Sequence, residues 1–324
     1  MSAILLLVSS KPEDQIFAAE AAATSGLMLR VETDPVQAGK VIETELVGAT
    51  LADVSSAELY QAFEQGIQST VGLMSERINS NAIHFISSED LSKIPYLIQS
   101  PLFGHYIYRK FGDPKREGTH YGRIIKATLS DRAFGIKGLL KPESKVQVVH
   151  LKNSSQKQDA VEAVKNFLVT AKFQTRMATV VANAMDELLM NAVFDAPIDE
   201  MGKATSSMLS RATLMPLEGP SAVEMHIGYD GDYVILSAVD HFGSLDKAKL
   251  MGHISKIYKE EEYKVKSAVA GAGIGLATVF RTGGSFFFIS DAKVKTEVVV
   301  FFRRTDNFRE FKDQFRFIST QFYF

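Results

Sequence analysis

One stretch of the chain decides the fold of its second half: Asn183-Ala184-Met185-Asp186-Glu187-Leu188-Leu189-Met190-Asn191-Ala192. Apolar residues recur in and around it at helical spacing, which predicts a long helix over residues 173–194 with one buried stripe. Glu187 and Asn191 are one helical turn apart and project from the same face, and Asp195 extends that line by a further turn. A carboxylate and an amide so arranged can orient a water molecule and ligate a hard cation such as Mg²⁺. On their own these residues are more typical of a solvated helix face, so the prediction of a site depends on two further stretches.

The first of these is an apolar strand, predicted over residues 233–239, that ends in Asp240 and is followed by Gly243. A carboxylate at a strand end can accept a hydrogen bond from the exocyclic amine of a buried base. The second is Gly271-Ala272-Gly273-Ile274-Gly275-Leu276-Ala277, where alternating glycines run into a predicted helix. Such glycines expose backbone N–H groups to an anion, and the positive end of the helix adds to the attraction. The spacing lacks the context of a dinucleotide fingerprint and the Gly-Lys-Ser/Thr of a Walker loop.

In order and spacing, the three stretches resemble the motifs of the GHKL superfamily of ATPases, whose nucleotide-binding unit is the Bergerat fold. The helix resembles the family's Glu-x-x-x-Asn-Ala box, with Glu187, Asn191 and Ala192 in the matching positions. The resemblance covers about residues 144–303. It implies an α/β sandwich in which helices cover one face of a mixed sheet.

The resemblance also implies that the chain binds ATP or ADP together with Mg²⁺. Glu187 would then be the catalytic general base and Asn191 the Mg²⁺ ligand. Asp240 would bind the adenine amine, Thr296 would lie near the base, and the glycines would lie near the phosphates. The full set of implied nucleotide contacts is Asn191, Asp240, Gly243, Gly271, Gly273, Gly275, Leu276 and Thr296.

Within the superfamily, the second half is most similar to the anti-sigma-factor serine kinases of bacteria. A histidine autokinase is disfavoured, because the chain has no room for a phosphoacceptor hairpin. Phe242 and Ser244 stand where the family usually has glycine, and Asp195 stands where these kinases usually have histidine. Two functions therefore remain open. One is a serine/threonine-kinase-like or ATPase switch in signal transduction, and the other is a non-catalytic module in which nucleotide controls docking or partner binding.

The first 120 residues alternate between short apolar runs and helix-like stretches. This alternation predicts a doubly wound parallel sheet, so that the whole chain is α/β. The predicted strands are residues 3–8, 27–31, 49–54, 82–86 and 106–109, and the predicted helices are 12–24, 35–46, 56–78 and 88–99.

This half resembles the receiver domain of two-component response regulators. Asp53, Ser87 (or Ser88) and Lys110 stand where the family has its phosphoacceptor, its hydroxyl and its lysine. The acidic pair expected after the first strand is replaced by Ser9-Ser10-Lys11, which leaves Mg²⁺ few ligands. We therefore expect a degenerate receiver with a vestigial phosphoacceptor site, serving as a platform for interaction or dimerisation.

The composition excludes several other classes of protein. The chain has 324 residues, no cysteine and a net charge of -2. Without cysteine there is no disulfide framework, no Cys-ligated zinc and no thiol nucleophile. Balanced charge argues against nucleic-acid binding, and no segment approaches the ~18–20 apolar residues of a membrane span. We expect a cytoplasmic protein with a protein partner, such as a sigma factor or an anti-anti-sigma regulator.

These patterns predict a receiver-like domain over residues 1–120, a junction over 121–143, an ATPase domain over 144–305 and an aromatic tail over 306–324. Residues 111–118 are charged and contain turn residues, which predicts a linker or an exposed loop, and residues 121–141 are assigned to the junction because their pattern is mixed. In the tail, Phe308, Phe311 and Phe315 share a helical face. The tail either packs back on a domain or forms a surface for a partner, and we expect a homodimer.

Overall fold

The computed structural model describes residues 3–71, 79–130, 133–206, 209–210, 213–259 and 274–323. The chain is α/β and divides into two compact units. The first comprises Met1–Ala133 with Phe315–Thr320, and the second comprises Phe134–Gln314 with Gln321–Phe324. Within the described residues, no helix is long and apolar enough to cross a membrane.

A parallel sheet forms the centre of the first unit, in the order β2-β1-β3-β4-β5. Its strands are β1 (Ile4–Val8), β2 (Met28–Glu32), β3 (Val47–Asp53), β4 (Ile83–Ser87) and β5 (His105–Tyr108). All five predicted strands are thus present. Every residue of β1 is buried, as its continuous apolar run requires in a sheet covered on both faces.

Four of the five helices described in the first unit pack in two pairs. The five are α1 (Pro12–Ser25), α2 (Ala38–Thr44), α3 (Ala57–Val71), α4 (Pro95–Ile98) and α5 (Pro114–Thr128). Helix α1 packs against α5, and α2 packs against α3. The chain moves from β1 to β2 in one direction and from β2 to β3 in the other, so right-handed crossovers put α1 and α2 on opposite faces.

The linker or exposed loop predicted over residues 111–118 is wrong from residue 114 onward, because α5 begins there and continues to Thr128. Asp113 caps this helix by accepting hydrogen bonds from the N–H groups of Lys115 and Arg116, and Pro114 occupies the first turn. Asp-Pro is a signature of a helix start as well as of a turn. The boundary between the units falls after Ala133, within the stretch predicted as the junction.

The aromatic tail packs back on the chain, which confirms the first of the two predictions made for it. It forms α10 (Phe308–Lys312) and β11 (Arg316–Tyr323), and residues 316–318 pair antiparallel with β5. Phe311, Phe315 and Phe317 are buried. These aromatic rings are therefore not a surface for a partner.

The second unit contains an antiparallel sheet in the order β9-β10-β8-β7-β6. Its strands are β6 (Val146–Leu151), β7 (Val223–Tyr229), β8 (Tyr233–Asp240), β9 (Ser285–Asp291) and β10 (Lys295–Arg303). Its helices are α6 (Lys157–Thr170), α7 (Thr175–Met190), α8 (Lys247–Lys259), α9 (Ile274–Arg281) and α10. Helix α7 packs against α6, α9, β8 and β10 through the predicted apolar stripe, which is buried.

Candidate functional site

A cavity of about 250 Å³ lies in the second unit beside the end of α7. Its wall is mostly apolar and includes Ala192, Ala238, Leu250, Phe288 and Val298. Four of the residues predicted to contact a nucleotide also line it, namely Asn191, Asp240, Leu276 and Thr296. The fold therefore brings together side chains that are far apart in the sequence.

Asp240 is an ionisable residue of the cavity wall, which Asp195 and Lys249 also line. It is the last residue of β8 and is 5% exposed. Burial raises the pKa of its carboxyl to about 7, although N–H groups of Phe242, Gly243 and Thr296 bond to it and lower the pKa. The hydrogen bond from Phe242 to Oδ1 measures 3.0 Å. A buried carboxyl in an apolar cavity favours a ligand that donates a hydrogen bond to it.

Thr296 lies directly across the strands from Asp240, in register on β10. Residues in register share one face of a sheet, so both side chains reach the cavity. Thr296 is 3% exposed, and among the described residues its hydroxyl has no hydrogen-bond partner. Buried hydroxyls in native proteins are nearly always bonded, so this one is suited to a polar atom of a ligand.

A π-helical turn, Asn191–Asp195, joins the end of α7 to the cavity. The N–H of Ala196 donates to the carbonyl of Asn191 at 2.8 Å, which closes the wider turn. Both Asn191 and Asp195 line the cavity. Such turns are rare and recur at functional sites, and the helical periodicity of the sequence does not reveal them.

Glu187 lies one turn before Asn191 on α7 and is half-buried. It is not among the residues that line the cavity, although the N–H of Asn191 bonds to its carbonyl. The carboxylate and the amide thus follow each other along one helix face, as predicted, with only the amide at the cavity itself.

Gly243 holds the turn after Asp240 against the turn between β9 and β10. It has a φ of +56°, and a Cβ there would lie 2.1 Å from the carbonyl oxygen of Asp291. The N–H of Lys293 donates to the Gly243 carbonyl at 3.2 Å. Gly243 does not line the cavity, so its part in the site is to position the loop.

We expect Gly243→Ala to destabilise the second unit by about 2 kcal/mol or more, because the new Cβ meets backbone atoms and the φ is strained. Gly252→Ala is the matched control. Gly252 lies in α8 with open space around it, so alanine should add about 0.5–1 kcal/mol of stability. Urea unfolding of both variants measures the difference. Equal urea midpoints for the two variants would contradict the role of Gly243 in positioning the loop after Asp240.

Sequence analysis missed two contributors to the wall. The first is a hairpin in which Ile198 bridges Ala204, and both residues line the cavity. Asp199 forms its turn by accepting N–H bonds from Met201 and Lys203 at 2.9 and 2.8 Å. An Asp followed three residues later by glycine is a turn signal that could have found it.

The second contributor is Lys249, near the start of α8. It lines the cavity, and its ammonium donates to the carbonyl of Ser244 at 2.6 Å.

Among the predicted glycines, Gly275 lies in the first turn of α9. Gly271 and Gly273 lie outside the described residues.

In the first unit, a buried ionic cluster replaces the predicted phosphoacceptor site. The guanidinium of Arg109 pairs with Asp14 and Asp53, each at 2.7 Å, and Lys11 lies 3.3 Å from Asp53. Burial alone would raise the pKa of Asp53, but bonds from Ser55 and Arg109 and the charges of Arg109 and Lys11 hold it below its usual value. The carboxyl ends of parallel strands meet at this edge, which is why β3 and β5 bring the groups together.

The prediction of Lys110 for this site is wrong, because Lys110 is exposed and Arg109 takes the position beside Asp53. The missing acidic group is supplied by Asp14, which lies inside α1 rather than at the end of β1. The Ser87 hydroxyl accepts the N–H of Glu89 at 3.0 Å, and the Ser87 carbonyl accepts the N–H of Arg109.

No protein-family model matches this chain, and no curated protein matches it at a significant level.

Proposed function

We propose that the second unit binds ATP or ADP with Mg²⁺, with the adenine in the cavity beside Asp240 and Thr296. One observation carries this proposal. A buried carboxylate lies beside a buried hydroxyl in a cavity that is mostly apolar, and that hydroxyl has no partner among the described residues. The exocyclic amine of adenine would donate to Asp240, and a ring nitrogen would accept from Thr296.

The size of the cavity supports a single base rather than a whole nucleotide. Its volume of about 250 Å³ is below the ~300 Å³ at which pockets for drug-sized ligands begin. The ribose and phosphates would therefore lie outside it. Asn191, which lines it, is the proposed Mg²⁺ ligand, and Glu187, one turn away, is the proposed general base. Mg²⁺ would neutralise phosphate charge there.

The proposed folds follow the two resemblances. The strand order of the first unit is that of flavodoxin-like proteins, which supports a receiver-like domain. Its Arg109 pairs with both Asp14 and Asp53, which supports a degenerate receiver without phosphoacceptor activity. The second unit combines α7 with antiparallel strands that end at the cavity, which supports a Bergerat-like ATPase domain.

We propose a nucleotide-dependent signalling protein, with a sigma factor or an anti-anti-sigma regulator as the class of partner. Glu187 favours a serine/threonine-kinase-like or ATPase switch, since a binding module has less use for a base. The alternative is a module in which nucleotide controls docking without turnover. Phe242 and Ser244 favour it, because their side chains occupy the loop after Asp240 where the superfamily usually has glycine.

Calorimetric titration of the full chain with ATP, ADP and GTP, with and without Mg²⁺, tests the proposal. We expect both adenine nucleotides to bind, and GTP to bind more weakly because its carbonyl would face Asp240. Phosphate release and transfer are then compared between wild type and Glu187→Ala. If nucleotide binds but neither protein turns it over, the enzymatic switch is excluded and the non-catalytic docking module is supported. If no nucleotide binds, the proposal is overturned.

A further inference from the structure

We propose that the outer edge of β2 is a dimerisation surface whose partner is a second copy of this chain. Strand β2 is at the end of the sheet order, and no other strand in the described residues pairs with its outer side. Met28, Leu29 and Val31 are 55%, 36% and 37% exposed. An edge strand with exposed apolar side chains and without a proline is a ready template for pairing with another chain.

The backbone of β2 determines which registers such a pairing can use. The N–H of Met28 donates to Ala3, and the carbonyl of Glu32 accepts from Ser9, so alternate residues from Met28 to Glu32 point their backbone groups inward. Leu29 and Val31 therefore present theirs to the free edge. Within the central part of the strand, a two-fold pairing can put Leu29, Arg30 or Val31 opposite its own copy.

Charge selects the register with Val31 on the two-fold axis. With Val31 on the two-fold axis, Arg30 of each copy lies opposite Glu32 of the other, which makes two ion pairs around an apolar centre. The register with Arg30 on the axis puts the two arginines together, and like charges directly opposite are destabilising. The register with Leu29 on the axis puts Arg30 opposite Met28 and makes no ion pair. The sequence of β2 is thus complementary to itself in an antiparallel arrangement.

Apolar residues beside the strand add to the surface. Helix α1 packs beside β2, and its Ile16 is exposed. A two-fold axis perpendicular to the sheet puts the two α1 helices on the same face, next to the line where the two β2 strands would pair. The contact is nevertheless small for a stable interface, so we expect dissociation in roughly the micromolar range.

A charge-swap series tests this surface by sedimentation velocity on the full chain across a range of concentrations. Arg30→Glu and Glu32→Arg should each raise the dissociation constant about tenfold or more, because two-fold symmetry turns one change into two like-charge pairs. The double variant with both changes restores the ion pairs and should dimerise like wild type. Lys40→Glu, on the exposed side of α2, is the control for net charge and should have no effect.

Two results would overturn the inference. One is a wild type that stays monomeric at every concentration. The other is a dimer whose dissociation constant neither single change alters, which would put the interface elsewhere. Circular dichroism of each variant shows that the fold is retained, and the double variant separates loss of pairing from local damage to β2. The test does not involve nucleotide, so its outcome is independent of the proposed function.

Discussion

Asp240→Asn should weaken adenine-nucleotide binding about 100-fold or more. The change keeps the shape of the side chain but replaces a charged acceptor by an amide, whose NH₂ can face the amine of the base. A hydrogen bond to a charged group contributes about 1.5–3 kcal/mol, and opposed donors add to its loss. Calorimetric titration with ATP and Mg²⁺ measures the change. Asp159→Asn, an exposed change on α6, should leave affinity unaltered.

The same substitution should make the empty protein more stable at pH 8. The pKa of Asp240 is raised from 3.8 to about 7, so the folded state holds a proton that the unfolded state releases. The stability associated with the protonated carboxyl is fully present below about pH 4 and is lost as the pH rises through about 7. Asparagine does not titrate, so its advantage grows over this window to at most about 4 kcal/mol.

Urea unfolding of wild type and Asp240→Asn at pH 4.5 and pH 8 tests this, with midpoints converging at the lower pH. Parallel pH profiles for the two proteins would show that the carboxyl is not destabilised by burial. Loss of binding combined with gain of stability would identify Asp240 as a group retained for its ligand. Substitution of a purely structural residue would instead lower both nucleotide affinity and stability.

Arg109→Met should destabilise the first unit by about 3–5 kcal/mol. Asp14 is fully buried and Asp53 nearly so, and the guanidinium of Arg109 is bonded to both. Methionine fills a similar volume but leaves two carboxylates without this cation. Because Arg109 holds the pKa of Asp53 below its usual value, the loss should be largest near pH 7. It should shrink as the pH falls towards 4 and the Asp53 carboxyl of the variant protonates.

Chemical unfolding monitored on the first unit measures this loss. The triple variant in which Asp14→Asn and Asp53→Asn accompany Arg109→Met should recover part of it, since no uncompensated charge stays buried. Arg309→Met, on the exposed surface of α10, is the control for loss of an arginine. A single variant within about 1 kcal/mol of wild type would mean that water or another cation compensates the two carboxylates.

The sequence predicted much of the secondary structure because the signals are local. The apolar run of β1 and the stripe on α7 formed by Val181, Met185 and Leu188 are buried where their periodicity places them. The loop over residues 111–118 was mispredicted because Asp113-Pro114 suits both a turn and a helix start. Local chemistry alone does not distinguish these two outcomes.

The candidate site was likewise predicted from the sequence only in part. Asp240 and Thr296 were both identified from the sequence, yet the pairing of β8 with β10 is what puts them side by side. The hairpin at Ile198 and the side chain of Lys249 also line the cavity. They do so because the tertiary fold brings these segments back to it, and the spacing of residues in the sequence does not predict that.

By itself, the sequence determined the α/β class, the strands, the long helix and the residues able to carry chemistry, because periodicity and residue type act over one or two turns. Only the tertiary structure decided that Arg109 rather than Lys110 neutralises Asp53, that Asp14 joins them, and that a π-turn brings Asp195 to the cavity. These outcomes depend on strand register and on burial. Burial of a charge is tolerated only where another part of the chain supplies its partner, and that condition is not a local property of any segment.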